Sequence, residues 1–279
     1  MKKTYSGVVV PMVTPITKEL KIDTAAVSRI VKLFAENGIS PLVMGTTGES
    51  PSISLEQSKI FLKTAVQAKG KDQMIYAGLV GNNVAELLER AKIYAALGAD
   101  VVVSTLPSYY ILTPEQMELY YTQLADASPC PIMMYNIKAT TQMSIPPATV
   151  ERLSHHSNIV GLKDSERDEE RLLYFIKKFK NRSDFSFFCG WGAQSLGSLL
   201  LGADGVVPST GNIVPEMYKK LYDAFLENNY AEAEKWQIAT DEVAKTYQQD
   251  RTLGQSLAAL KVLMAEKELC ETFMLPPLR

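Results

Sequence analysis

The chain has 279 residues, 46% hydrophobic and 22% charged, enough to bury the core of one large α/β domain or two small ones. Its formal net charge is -2, and no basic stretch alternates with aromatic residues, which argues against nucleic acid as its main partner. Cys130, Cys189 and Cys270 are odd in number and widely spaced, with no Cys-x-x-Cys pair, so a disulfide framework or zinc ribbon is not expected and a reducing cytoplasm fits.

Met1-Lys2-Lys3 is basic like the start of a secretion signal, but Pro11 and Pro15 break the apolar run behind it and no small-residue cleavage pattern follows. Nothing approaches the length of a transmembrane span. The expectation is a cytoplasmic protein with no membrane partner.

Two kinds of segment alternate along the chain. Apolar stretches rich in β-branched residues fall at Gly7–Pro15, Pro41–Gly45, Met74–Val80, Val101–Leu106, Pro131–Asn136, Ile159–Lys163, Phe185–Cys189 and Gly205–Val207. Segments of helical length lie between them. Ser54-Leu55-Glu56-Gln57 and Thr113-Pro114-Glu115-Gln116 read as capping boxes, and Gly38, Gly70, Gly98 and Gly202 stand where helices should stop. Strand, helix, strand at intervals of roughly 20 to 35 residues indicates right-handed βαβ units and a parallel sheet. Eight strands in this length predict a (β/α)8 TIM barrel over residues 1–229. A doubly wound sheet would carry Gly-x-Gly-x-x-Gly after its first strand, where Pro11 to Pro15 stand instead. Residues 230–279 read as a C-terminal helical extension packed on the barrel, with Trp236, Ile238, Val243, Tyr247, Leu257, Leu260 and Leu263 as its buried positions.

Catalytic groups of such barrels sit at the C-terminal ends of strands. Those ends hold Gly45-Thr46-Thr47-Gly48-Glu49, Ser108-Tyr109-Tyr110, Tyr135-Asn136, Lys163, and Val207 followed by Pro208-Ser209-Thr210-Gly211-Asn212. Lysine is almost never buried without a use, and its amine attacks a ketone to give a Schiff base. A free lysine titrates at about 10.4, and burial favours the neutral, nucleophilic form. A tyrosine can carry the protons that imine formation requires. Two threonine hydroxyls and the amides of a glycine-lined turn suit a carboxylate. Taken singly, each of these is more often a turn, a helix cap or a core tyrosine. Together on successive strand ends they describe a site for a 2-oxo acid, with its ketone at Lys163 and its carboxylate at Thr46 and Thr47.

Gly45-Thr46-Thr47-Gly48-Glu49, then Tyr135-Asn136 and Gly161-Leu162-Lys163-Asp164-Ser165, resemble the two signatures of the dihydrodipicolinate synthase/N-acetylneuraminate lyase superfamily, pyruvate-dependent class I aldolases. The resemblance covers nearly the whole chain, and Tyr135 and Lys163 lie 28 residues apart, as the family pattern calls for. It implies Lys163 as the Schiff-base lysine and Tyr135 as the proton-relay phenol. It implies that Thr46, Thr47 and Gly48 hold the carboxylate of pyruvate, with Val207 lining the pocket through its backbone. Tyr109 matches an aromatic position near a subunit interface that, in synthase members, completes a relay with Thr47 and Tyr135. A homotetramer is implied, with no metal and no organic cofactor beyond the covalent imine.

The departures bear on the substrate. Where synthase members carry an arginine for the aldehyde's carboxylate, this chain has Thr140, with Lys138 nearby. Where neuraminate lyases carry an acidic pair, it has Gly190-Trp191-Gly192-Ala193. Two histidines of the synthases' lysine-feedback site correspond to Leu55 and Ser58, so lysine inhibition is not expected. Thr140, Thr141, Ser209, Thr210 and Asn212 are neutral hydrogen-bonding groups near the mouth and suit a polyol, which predicts a 2-keto-3-deoxy sugar acid as substrate. The rival readings are dihydrodipicolinate synthase, a neuraminate-lyase-like enzyme, a metal-dependent aldolase and an idle 2-oxo acid sensor. His155-His156 lacks metal-site spacing, and Gly192-Ala193-Gln194-Ser195-Leu196-Gly197 has one residue too many for a nucleophile elbow.

Overall fold

The computed structural model of the protein describes residues 3–278. Eight strands, β1 Gly7–Pro11, β2 Ser40–Val43, β3 Tyr76–Leu79, β4 Val101–Thr105, β5 Ile132–Asn136, β6 Ile159–Asp164, β7 Ser186–Cys189 and β8 Gly205–Val206, pair in parallel with their sequence neighbours. β1 also pairs with β8 and closes the barrel. The strands are shorter than the apolar stretches that announce them. Thr14 and Pro15 leave the first one, and Val207 lies just past the last. Apolar content marks burial, and the loops entering this barrel's mouth are buried too.

The outer ring is α1 Thr24–Glu36, α2 Leu55–Ala68, α3 Val84–Ala96, α4 Pro114–Ala127, the single turn α5 Lys138–Thr141, α6 Pro147–Leu153, α7 Glu169–Phe179, α8 Ser195–Leu201 and α9 Pro215–Leu226. Asp23, Asn83 and Asp168 cap helices through side-chain oxygens, and Thr113 with Gln116 forms the full reciprocal box. At α2 only the Ser54 half of the box forms. Gly38, Gly98 and Gly202 follow α1, α3 and α8 with φ of 66°, 96° and 107°, conformations that favour glycine. Gly70 has no such φ, and α2 stops two residues earlier, at Ala68.

The core has two layers. One lies between strands and helices; the other fills the barrel with Val9, Leu42, Val101, Val103, Met133 and Phe188, where Tyr76 meets Phe188 edge to face at 6.3 Å. Two further helices follow, α10 Tyr230–Gln248 and α11 Leu253–Glu266, and α10 packs along α9. Tyr247, Leu257 and Leu260 are buried as expected, and Trp236, Val243 and Leu263 are half-buried. Ile238 is 57% exposed. Its place on the inner face goes to Gln237, whose amide oxygen accepts from the backbone N–H of Leu196 at 2.9 Å and whose nitrogen donates to Gly192 O and Asp241. Apolar periodicity therefore misplaces the α10 seam, which is partly polar.

All three cysteines are free and buried. Burial pushes the thiols of Cys189 and Cys270 up to about 11. Among the described residues no helix is long and apolar enough to cross a membrane, and no group of three or more His, Cys, Asp or Glu side chains could hold a metal ion.

Candidate active site

The direction of Lys163 is set by an irregularity that the sequence does not announce. Side chains alternate along a strand, so Ile159, Gly161 and Lys163 would share one face of a regular β6. Ile159 packs outward under the helices. However, β5 and β6 pair Ile132 with Ile159 and Met133 with Gly161, which leaves Val160 as an extra residue. This bulge resets the alternation. Leu162 then belongs to the outer layer, and Lys163, opposite Tyr135, looks inward.

Lys163 is 3% exposed and Tyr135 5%, and the lysine Nζ lies 3.7 Å from the centre of the tyrosine ring. Burial alone would raise the Tyr135 phenol. The Lys163 charge and hydrogen bonds from Thr46, Ser165 and Lys163 outweigh it and hold the phenol below the ordinary tyrosine value. A phenol in that state, against an amine, can hand a proton to and from a carbinolamine oxygen. The threonine hydroxyl that acts on the phenol is that of Thr46. Ser165 is the second partner, and the sequence presents it only as the end of the strand-end motif. Two residues past the lysine on a strand end, it could have been found by strand geometry. Its Oγ fills the space over Gly190, where a Cβ would come within 2.1 Å.

Thr47 is 8% exposed in the turn after β2. The Gly48 amide donates to Gly45 O at 3.0 Å and the Glu49 amide to Thr46 O at 3.2 Å. The turn thus uses the Gly48 N–H internally, while the Thr46 and Thr47 amides take no part in its backbone bonds. Gly48 serves by its lack of a side chain, since a Cβ would lie 3.0 Å from Met12 O, and Thr14 Oγ1 donates to its carbonyl at 2.5 Å. Val207 donates its own N–H to Cys189 O at 2.8 Å and lines the barrel interior, so its carbonyl is what it can offer.

Thr140 and Tyr109 stand apart from this group. Thr140 is exposed on α5, its hydroxyl against Ile137 O at 3.4 Å. Tyr109 is 77% exposed, stacked edge-on with Tyr110 at the tip of the loop after β4 and clear of the barrel interior. Most of the neutral groups proposed for a polyol are already engaged. Ser209 and Thr210 share the Tyr247 hydroxyl at 2.8 and 3.0 Å, Thr141 bonds Ile137 O and Met143 O, and Asn212 bonds Val13 N, Pro11 O and Ser209 O.

Behind the wall, Asn136 and Asp164 point away from the barrel into a polar knot. Asn136 donates to Asp164 at 3.1 Å and Glu166 at 2.9 Å, while Arg171 Nε donates to Asp164 at 2.7 Å. Lys138 reaches Glu166 at 3.4 Å. The sequence presents Glu166 to Arg171 as a solvated charge run, but Arg171 is drawn inward by these buried partners.

A buried lysine and phenol face each other at the mouth of a parallel eight-stranded barrel, an arrangement suited to the chemistry of a Schiff-base lyase. The chain belongs to the dihydrodipicolinate synthetase family, whose model matches residues 4–279. A 4-hydroxy-tetrahydrodipicolinate synthase of Thiobacillus denitrificans is 30% identical over 231 residues, 82% of this chain and 77% of that one. Among solved structures, the Escherichia coli K12 prophage protein YagE, determined with pyruvate, superposes with a TM-score of 0.91 at 25% identity over 98% of this chain and 92% of that one. A Ruminococcus gnavus sialic acid aldolase shares the fold with a TM-score of 0.90 at 23% identity over 99% and 91% of the two chains. The protein is a pyruvate-dependent lyase of the class I aldolase type.

Proposed function

We propose that Lys163 forms an imine with pyruvate, or with the pyruvate half of a larger 2-oxo acid, and that the enzyme makes or breaks the carbon–carbon bond beside it. The approach of the Lys163 amine to the Tyr135 ring at 3.7 Å, both groups buried, carries this reading. Thr46 and Thr47 hold the carboxylate, and the Val207 carbonyl faces the bound acid. Tyr135 protonates the carbinolamine hydroxyl so that it leaves as water, and hydrogen bonds from Thr46 and Ser165 stabilise the phenolate left behind. The imine nitrogen then draws electrons from the adjacent bond, so no metal or organic cofactor is required. In a tetramer, Tyr109 of a neighbouring subunit would extend the relay. That the extended tyrosine loop stands clear of its own barrel supports this.

For the second substrate we favour a 2-keto-3-deoxy sugar acid, cleaved to pyruvate and an aldehyde. Support comes from charge: Thr140 is neutral, Lys138 is paired with Glu166, and Arg171 is turned behind the wall to Asp164. A second reading, condensation of pyruvate with aspartate semialdehyde, is favoured by the relatives named 4-hydroxy-tetrahydrodipicolinate synthase and by Arg167, exposed on the loop from β6 to α7. Mass measurement after pyruvate and borohydride, on wild type and Lys163→Ala, tests the chemistry: one reduced pyruvate adduct is expected on wild type and none on the variant. Wild type without an adduct refutes the mechanism. Turnover of sugar acids against aspartate semialdehyde, with and without Arg167→Ala, then decides the substrate.

A further inference from the structure

The residue that ends the Thr46–Thr47 turn is held from outside the barrel. Glu49 is 1% exposed and has φ of 56°, a left-handed backbone that glutamate rarely adopts. Its Oε1 lies 2.6 Å from Lys261 Nζ on α11, and its Oε2 accepts from the Leu275 amide at 2.6 Å. The same ammonium donates to Phe273 O at 2.6 Å. Lys261 is buried, and burial pulls its amine below the ordinary lysine value against the opposing pull of Glu49. Two opposite charges taken out of water at this depth often contribute less stability than a well-packed neutral pair. A pair that served only to glue α11 to the barrel could be apolar.

Its position supplies a use. Glu49 follows Thr46 and Thr47 in the turn, and its own amide bonds the Thr46 carbonyl at 3.2 Å. The other sides of the turn are fixed by Gly45 O, which accepts from Gly48 and Ser50, and by Thr14 on Gly48 O. The C-terminal segment supplies the remaining anchor.

We propose that Glu49 and Lys261 are positioning residues: through them α11 and the Phe273–Leu275 segment hold the Thr46–Thr47 turn in its carboxylate-binding shape. This inference rests on the reading of Thr46 and Thr47 as the pyruvate-carboxylate site. The pair touches no substrate and acts through the turn, so it governs how tightly the 2-oxo acid is held and leaves Lys163 and Tyr135 as they are.

The test is the double variant Glu49→Gln/Lys261→Met, which keeps the volume and removes both charges. Borohydride-trapped pyruvate adduct on Lys163 is measured against pyruvate concentration, beside thermal unfolding. The expected result is a half-saturating pyruvate concentration raised tenfold or more with the same adduct yield at saturation. A role confined to stability would lower the melting temperature and leave half-saturation unchanged. Glu49→Gln alone, which keeps the shape and one acceptor, is the second variant, with a rise of threefold or more expected. Half-saturation within twofold of wild type in a folded variant overturns the proposal. Hydrogen exchange of the Leu275 amide in the unaltered protein needs no variant: saturating pyruvate should slow it, and unchanged exchange overturns the proposal. Wild type with no adduct at any pyruvate concentration overturns the Schiff-base reading and this one together; an adduct on wild type with unchanged half-saturation in the variant overturns this one alone.

Discussion

Gly161→Ala probes how closely the β6 bulge holds Lys163. The new Cβ would stand 2.6 Å from Ser186 O and 3.2 Å from Met133 Cε. The methionine tip can turn away, but the carbonyl belongs to the neighbouring strand, where Ser186 pairs with Gly161. Ordinary contact begins near 3.4 Å, so β6 and β7 must part by about 0.8 Å. Overpacking of this kind costs about 1–3 kcal/mol. For a chain of this size that lowers the melting temperature by roughly 2–10 °C. The displacement arises two residues from Lys163 in the same strand. A misplacement of the attacking amine by nearly 1 Å costs up to ~100-fold in rate. The assay pairs thermal unfolding with the initial rate of borohydride-trapped pyruvate adduct. Gly192→Ala is the control, because its Cβ would find nothing nearer than 3.9 Å. A Gly161→Ala protein indistinguishable from the Gly192→Ala control in both measurements would refute the reasoning.

Two further outcomes are expected from the groups around the site. Thr46→Val and Ser165→Ala each remove a hydrogen bond that holds the Tyr135 phenol down, so its titration, followed by tyrosinate absorbance, should move to higher pH; a shift to lower pH would contradict the assignment. For Glu166, burial raises the carboxyl, but Ser144, Asn136, Arg171 and Lys138 outweigh it and the value is lowered. A lowered carboxyl contributes stability that is present above its unfolded value and lost as pH falls through the folded one. Glu166→Gln should therefore destabilise the protein at neutral pH and narrow the gap to wild type in acid, by melting temperature against pH. A gap that widens in acid would reverse the sign.

The barrel was legible because its strands are continuous apolar runs, buried on both faces, between helix signals that read plainly at Thr113, Gly38, Gly98 and Gly202. Lys163, Tyr135 and Thr46 could be brought together from strand ends alone, because a closed parallel barrel sends all those ends to one mouth. What stayed hidden depended on pairing rather than composition. Nothing in Ile159-Val160-Gly161-Leu162 says that Val160 is the unpaired residue, although the bulge decides which way Lys163 faces. Glu49 and Lys261 are ordinary charges until α11 crosses the β2 turn. Ser209, Thr210 and Asn212 look available in sequence, and only the folded positions of Tyr247 and Pro11 show that their bonds are taken.

The three buried thiols give the molecule built-in reporters of its own opening. Cys130 lies between α4 and β5, Cys189 ends β7, and Cys270 follows α11, so each marks a different part of the fold. A thiol reagent meets none of them while the chain is closed. If the C-terminal helices lift away before the barrel opens, Cys270 is labelled ahead of the other two. If they come apart together, all three are labelled at one rate. Peptide-resolved labelling kinetics would therefore show whether the last fifty residues form a detachable clasp or an inseparable part of the whole.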